Sequence, residues 1–187
     1  MKLFFLGGSF DPPHLGHLKI AEFCLKQGDF FLFIPAKNSP YKLNQKITSA
    51  SHRLNMLNLM TTKMDKIKVD PFEINNAGIS YTYKTIKYLL AKYNPCELIM
   101  VIGYDHLNTL SRWENIDYIK NNCKIMCFNR DSSILDYVSN IEIIKDFQIP
   151  ISSTLIREKI KSNNLINMKN LLSKIIIEYI IENNLYK

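Results

Sequence analysis

A chain of 187 residues that is 47% hydrophobic is long enough to bury a sizeable core, and the length suits one domain, residues 1–187, carrying at most a small appendage. No apolar run reaches the ~18 residues of a membrane span, and the short run after Met1 ends in Gly7-Gly8 without the pattern of a secretion signal, so a cytoplasmic protein with no membrane partner is expected. The net charge of +7 is carried by lysines spread along the chain with no long block of like charge, which argues against a nucleic-acid partner and for a field that favours nucleotides.

The first predicted strand is Lys2–Leu6, and residues 7–17 follow it as Gly-Gly-Ser-Phe-Asp-Pro-Pro-His-Leu-Gly-His. The order is strand, glycine turn, helix start, with the helix expected over Leu15–Lys26. Glycines let backbone N–H groups approach a bulky anion closely. A helix N-terminus adds unsatisfied N–H groups and a partial positive charge at the same place. His14 and His17, three residues apart, can face one phosphate chain together.

Further along the chain, apolar runs predict strands at Phe30–Ile34, Ile67–Pro71, Glu97–Ile102, Lys124–Phe128 and Ile141–Ile144. Between them, helical spacing appears over Ala50–Thr62, through Leu54, Leu57 and Met60, and over Thr82–Lys92, through Ile86, Leu89 and Leu90. Gly103-Tyr104-Asp105 directly follows a strand, where a carboxylate can accept hydrogen bonds from ribose hydroxyls. Lys63-Met64-Asp65-Lys66 reads as a solvated helix end. A helix is expected over Ser152–Ile160, opening within Ile151-Ser152-Ser153-Thr154-Leu155-Ile156-Arg157. Hydroxyls and free N–H groups at such a start suit phosphate oxygens, and Arg157 adds a forked cation one turn in. Met168, Leu171, Leu172, Ile175, Ile176, Tyr179 and Ile180 then form an apolar stripe suited to a docked helix.

Strands alternating with helices predict an α/β protein: a Rossmann-like parallel sheet with helices on both faces, and a small helical C-terminal part from about residue 152. Cys24, Cys96, Cys123 and Cys127 include no Cys-x-x-Cys pair, so reduced, buried thiols are expected and no metal site is assigned.

The string Gly7-Gly8-Ser9-Phe10-Asp11-Pro12-x-His14-x-Gly16-His17 resembles the signature of the bacterial nicotinate-mononucleotide adenylyltransferases, of the nucleotidylyltransferase superfamily. The resemblance continues through Gly103 and Asp105, Trp113, and Ile151 to Arg157. It implies adenylyl transfer from ATP to nicotinate mononucleotide, giving deamido-NAD and pyrophosphate. It further implies Mg²⁺ bound mainly through the ATP phosphates. On the matching positions, His14, His17 and Arg157 are the expected catalytic groups. Gly7, Gly8, Ser9, Phe10, Gly16, Gly103, Asp105, Ile151, Ser152 and Ser153 fall to ATP, and Lys42, Tyr41, Ser80, Tyr81, Thr82 and Trp113 to the mononucleotide. The chain departs from the family pattern at Asn76, where arginine is expected, at Ile79 for proline, and at Tyr41 for histidine. Two other readings fit part of the pattern. A phosphopantetheine-type adenylyltransferase or a cytidylyltransferase would share the nucleotide half. A non-catalytic nucleotide- or RNA-binding protein would show aromatics amid clustered cations.

Overall fold

The computed structural model describes residues 1–39, 47–129, 141–145, 147, 149–163 and 167–187. Its centre is a six-stranded sheet built from β1 (Lys2–Gly8), β2 (Phe30–Pro35), β3 (Ile67–Val69), β4 (Glu97–Gly103), β5 (Lys124–Phe128) and β6 (Ile141–Ile144). The strands lie in the order β3-β2-β1-β4-β5-β6, and each neighbouring pair is parallel. This is the doubly wound order, and it reverses direction between β1 and β4, where the carboxyl ends of the strands open a crevice.

Period-2 alternation along β1 explains why both faces are covered. Phe4 and Leu6 point into one apolar cluster while Leu3 and Phe5 point into the other. The first face is packed by α1 (Leu15–Cys24), α2 (Ala50–Thr61), α6 (Ser153–Lys161) and α7 (Lys174–Glu182). Ala21, Met56, Leu57, Ile156, Ile176 and Ile180 are among the side chains they bury there. The second face is packed by α4 (Thr82–Tyr93) through Ile86 and Leu89 and by α5 (Ile116–Asn122) through Ile119. Each fully buried Leu, Ile or Met among them contributes roughly 1.5–3 kcal/mol of transfer free energy.

All six predicted strands are present; β1, β2 and β4 run one or two residues further than expected, to Gly8, Pro35 and Gly103, and β3 is shorter. β3 stops at Val69 because Asp70 turns away. The Asp70 N–H still donates to Phe33 O, but its carboxylate accepts the Phe72 N–H that opens α3 (Phe72–Asn75). The core side of α2 is Arg53, Met56, Leu57 and Met60, so Leu54 lies at its margin. The C-terminal stripe is two pieces. A 3₁₀ turn, Met168–Asn170, buries Met168, and α7 starts afresh at Lys174 after Ser173. The break rotates the faces, which leaves Ile175 41% exposed while Leu172, Ile176 and Ile180 are buried. Three of the four cysteines are buried, as expected, but Cys96 is exposed. No helix among the described residues is long and apolar enough to cross a membrane.

Candidate active site

A cleft of about 440 Å³ lies at the carboxyl ends of β1 and β4, where the strand order reverses. The chain leaves β1 at Gly8 and enters a turn in which Phe10 takes a left-handed φ of 51°. Few non-glycine residues adopt that conformation. The Phe10 ring is buried and meets Phe33 and His17 edge-on, at 5.4 and 5.0 Å between ring centres, so packing holds the turn.

His14 is the N-cap of α1 and His17 lies three residues into the cap region. Their rings stack at 3.6 Å with 21° between planes. The His14 N–H donates to His17 Nδ1 at 3.1 Å. In the neutral ring this leaves the proton on Nε2, so His17 keeps a donor while it caps the helix. Gly16 is dictated by the same stack: a Cβ there would come within 2.9 Å of the His14 ring and of Ile149.

The start of α6 faces the same cleft from the other end of the chain. Ser152 is its N-cap and accepts the Leu155 N–H at 3.1 Å. The Ser153 hydroxyl donates to Pro12 O at 2.9 Å, and Arg157 Nη1 donates to Asp11 O at 2.8 Å. Arg157 Nη2 also donates to Thr154 Oγ1 at 3.2 Å. The two phosphate-type motifs are therefore stitched to one another across about 140 residues of sequence. The Ser153 hydroxyl serves that stitching and the Ser152 hydroxyl caps α6, while Ile151 is buried and lines the cleft. Thr154, which the sequence reading passed over, lines the cleft beside them.

Gly7 is the penultimate residue of β1, and Gly103 is the last of β4. A Cβ built on either would meet no protein atom within 4 Å. The protein's own packing does not require glycine at these positions, and both open onto the cleft. Asp105 lies in the first turn of the 3₁₀ helix Tyr104–Arg112 and also lines it. Trp113 follows that helix, edge-on to His106 at 5.8 Å, and its buried Nε1–H has no partner among the described residues.

Ser80, Tyr81 and Thr82 line the opposite wall. The Ser80 N–H donates to Asn38 O at 3.0 Å and its hydroxyl accepts the Lys37 N–H at 3.1 Å, so this residue docks the turn on the loop after β2. The Lys84 and Thr85 N–H groups donate to Tyr81 O, so of the amides that open α4 those of Thr82 and Tyr83 have no intrahelical acceptor. Asn76 caps α3 by donating to Phe72 O at 2.6 Å, and neither it nor Ile79 is among the cleft-lining residues. Tyr41 and Lys42 lie outside the described residues.

Several groups at or behind the cleft were not singled out from the sequence. Glu73 lines it and accepts from Thr85 Oγ1 at 2.6 Å, with burial pushing its carboxyl pKa up. Arg53 is only 2% exposed. It donates to Ser9 O at 2.7 Å, Ala36 O at 2.8 Å and Thr48 O at 2.9 Å, which ties the turn after β1 to the loop after β2. Burial lowers its pKa from the usual value, with Asp11 opposing the shift. A charge in register with Met56, Leu57 and Met60 was the signal that could have found it.

A model of the Cytidylyltransferase-like family matches residues 5–159. The "Probable nicotinate-nucleotide adenylyltransferase" of Clostridium botulinum is 34% identical over 197 residues, covering 97% of each chain. A protein of the same name from Clostridium acetobutylicum is 34% identical over 194 residues, covering 96% of each. The chain belongs to the nicotinate-nucleotide adenylyltransferase family. It is accordingly an enzyme of the nucleotidyltransferase class. The fold of this nucleotidyltransferase is shared with the nicotinic acid mononucleotide adenylyltransferase of Plasmodium falciparum. That protein superposes in a complex with NaAD at a TM-score of 0.79, with 20% identity and coverage of 99% of this chain and 97% of that one. A second structure of it, complexed with APC, gives 0.77, again at 20% identity, with coverage of 99% and 96%.

Proposed function

We propose that the enzyme transfers the adenylyl group of ATP to nicotinate mononucleotide, yielding deamido-NAD and pyrophosphate. The observation that carries this reading is the convergence of the stacked His14–His17 pair and the Arg157-bearing start of α6 on one cleft. Gly7 and Gly103 leave that cleft open to a ligand backbone.

The acceptor is a phosphate monoester whose second pKa is near 6, so at neutral pH it is already an anionic nucleophile and needs no general base. Its oxygen attacks the α-phosphorus of ATP in line, forming one P–O bond as the bond to the β-phosphate oxygen breaks. The electron pair leaves on pyrophosphate. Catalysis then rests on positioning and on charge stabilisation. In this role His14 and His17 donate to α- and β-phosphate oxygens, and Arg157 offers the N–H groups not held by Asp11 and Thr154. Gly7, Gly8, Ser9, Phe10 and Gly16 shape the turn under the triphosphate. Asp105 suits the ribose hydroxyls, and Ser152 and Ser153 hold the α6 terminus in place.

Among the described residues no group of three His, Cys, Asp or Glu side chains could hold a metal ion. A donor set of imidazoles, guanidinium and amides fits a cation that is carried by the phosphates. Mg²⁺ bound by phosphate oxygens and water would screen the charge that builds on the leaving group. On the acceptor side, Tyr81 and Thr82 present the amides that open α4, and Trp113 offers a ring face with an indole N–H that has no partner among the described residues.

The test is a product assay: ATP and Mg²⁺ with nicotinate mononucleotide, nicotinamide mononucleotide and phosphopantetheine as separate acceptors. Deamido-NAD and pyrophosphate in equal amounts are expected. Product only with phosphopantetheine, or none with any acceptor, refutes the reading.

A further inference from the structure

The turn that carries His14 and His17 is fixed at its polar atoms by distant parts of the chain. Arg53 takes Ser9 O, Ser153 takes Pro12 O, and Arg157 takes Asp11 O. The Asp11 carboxylate, 5% exposed, is left to be satisfied. Its Oδ2 accepts the Thr48 N–H at 3.3 Å, and its Oδ1 accepts the Tyr186 hydroxyl at 2.7 Å. Tyr186 reaches Asp11 from beyond α7, 175 residues away in sequence, on a backbone with φ of 66°.

We propose that Tyr186 is a positioning residue for the phosphate-binding turn: by donating to Asp11 it holds the backbone between Phe10 and His14 in the shape that presents both imidazoles to a triphosphate. The inference rests on the adenylyl-transfer reading for its effect on turnover.

Two observations separate this role from simple anchoring of α7. The helix is already docked by buried Ile176 and Ile180, and by the Tyr179 hydroxyl, which lies 2.8 Å from His52 Nδ1. Asp11, in contrast, has one short donor for Oδ1 among the described residues, and removing it takes that donor from a buried carboxylate oxygen in the residue that follows the left-handed Phe10. Burial, with Asp11 beside it, pushes the Tyr186 phenol well above its ordinary range, so it remains a donor throughout the working pH range. The strain of losing it falls on the turn, not on the helix.

The test compares Tyr186→Phe, Asp11→Asn, the double variant and Tyr179→Phe in the full chain. Each is measured for calorimetric binding of a methylene-bridged ATP analogue, for steady-state product formation and for thermal midpoint. Tyr186→Phe is expected to weaken analogue binding about tenfold, since a hydrogen bond to a charged group is lost. It should lower kcat while leaving KM for the mononucleotide unchanged. The double variant should lose little more than Asp11→Asn alone, because the two act through one contact. Tyr179→Phe should lower the midpoint by a similar amount with analogue binding intact. Wild-type binding and turnover in Tyr186→Phe would overturn the inference, and so would losses in both tyrosine variants that merely track their midpoints. Wild-type protein that binds the analogue but forms no product would overturn the adenylyl-transfer reading instead, and Tyr186 would then be judged by analogue binding.

Discussion

His17 does two jobs with one ring. Its Nδ1 accepts the His14 N–H, and on the adenylyl-transfer reading its Nε2 side meets the phosphates in the cleft that the ring lines. Replacing it with alanine removes a preorganised donor and a helix cap together. His17→Ala is expected to lower kcat by ~10²-fold or more, with a cost in stability of only about 1 kcal/mol. Turnover at the wild-type rate, or a trapped adenylyl-histidine, would contradict a purely electrostatic role. Arg157 is likewise shared between Asp11 O, Thr154 and the cleft. Arg157→Ala should raise KM for ATP and slow pyrophosphate-driven reversal, and Arg157→Lys should restore only part of either, because an ammonium cannot span two acceptors as the fork does. Unchanged ATP kinetics in the alanine variant would exclude the assignment. The residues of these motifs could be read from sequence because the chemistry and its spacing are local. The roles of Arg53 and Tyr186 could not, since their partners lie 44 and 175 residues away: the sequence offers only a charge in register with an apolar helix face for the first and a weak terminal family match at Leu185-Tyr186 for the second.

Among the elements, β3 and α4 show how a buried charge organises secondary structure. Asp70, 2% exposed at the end of β3, accepts from Lys92 at 2.9 Å, Tyr93 at 2.7 Å, Tyr88 at 3.2 Å and the Phe72 N–H at 3.0 Å. Burial alone would push its carboxyl up, but these donors outweigh it and hold the pKa below the ordinary range. A carboxylate with a depressed folded-state pKa stabilises the fold above its unfolded value. That contribution is lost as pH falls through the ordinary range, near 4, toward the folded value. Asp70→Asn should therefore destabilise the protein by about 2–3 kcal/mol at pH 7, and the gap from wild type should shrink in acid. Chemical denaturation across pH 3–7 checks both the size and the slope (window set by the usual carboxylate range). A gap that widens on acidification would contradict this assignment.

The same scale shows where sequence periodicity fails. The strands β1, β2, β4 and β5 are apolar on both faces and stand out as runs, and the edge strands β3 and β6 keep enough Ile and Val to be seen despite Lys68 and Glu142. The 3₁₀ helix Tyr104–Arg112 buries only Leu110, and α5 has seven residues with only Ile119 buried. Neither has enough apolar positions to display a period, and both were absent from the expectations. The C-terminal stripe had the positions, but Ser173 interrupts it, so one apparent period was two elements with different faces.

At the scale of the whole molecule, the cleft has two unequal ends. His14, His17 and Arg157 line the cleft, as do Tyr81, Thr82 and Trp113; on the adenylyl-transfer reading, the first group forms a basic phosphate end and the second walls the acceptor end. The amides that open α4 suit a carboxylate with two acceptor oxygens, whereas a carboxamide would turn an N–H₂ toward one of them. A buried donor left unpaired costs about 1–3 kcal/mol, or roughly one to two decades in specificity. Nicotinate mononucleotide is therefore expected to exceed nicotinamide mononucleotide in kcat/KM by that margin. Asn76 and Ile79, two of the departures from the family pattern, do not line the cleft and should leave this preference in place. Equal values, or a preference for the amide, would show that the acceptor wall has been misassigned while leaving the phosphate end untouched.

The stitching of the first turn to α6 and to Tyr186 also bears on how the enzyme matures. Each bond between a distant residue and Ser9, Asp11 or Pro12 of the turn closes a loop of 37 residues or more, the longest running from Asp11 to Tyr186. Contacts of such long sequence separation form late, after local helices have appeared. During refolding from denaturant, binding of a fluorescent ATP analogue should therefore return more slowly than helical circular dichroism. The nucleotide would then act as a reporter of completed topology. If binding returned in step with the helices, the turn would have to be self-organising, and the distant bonds that hold it would be dispensable to its shape.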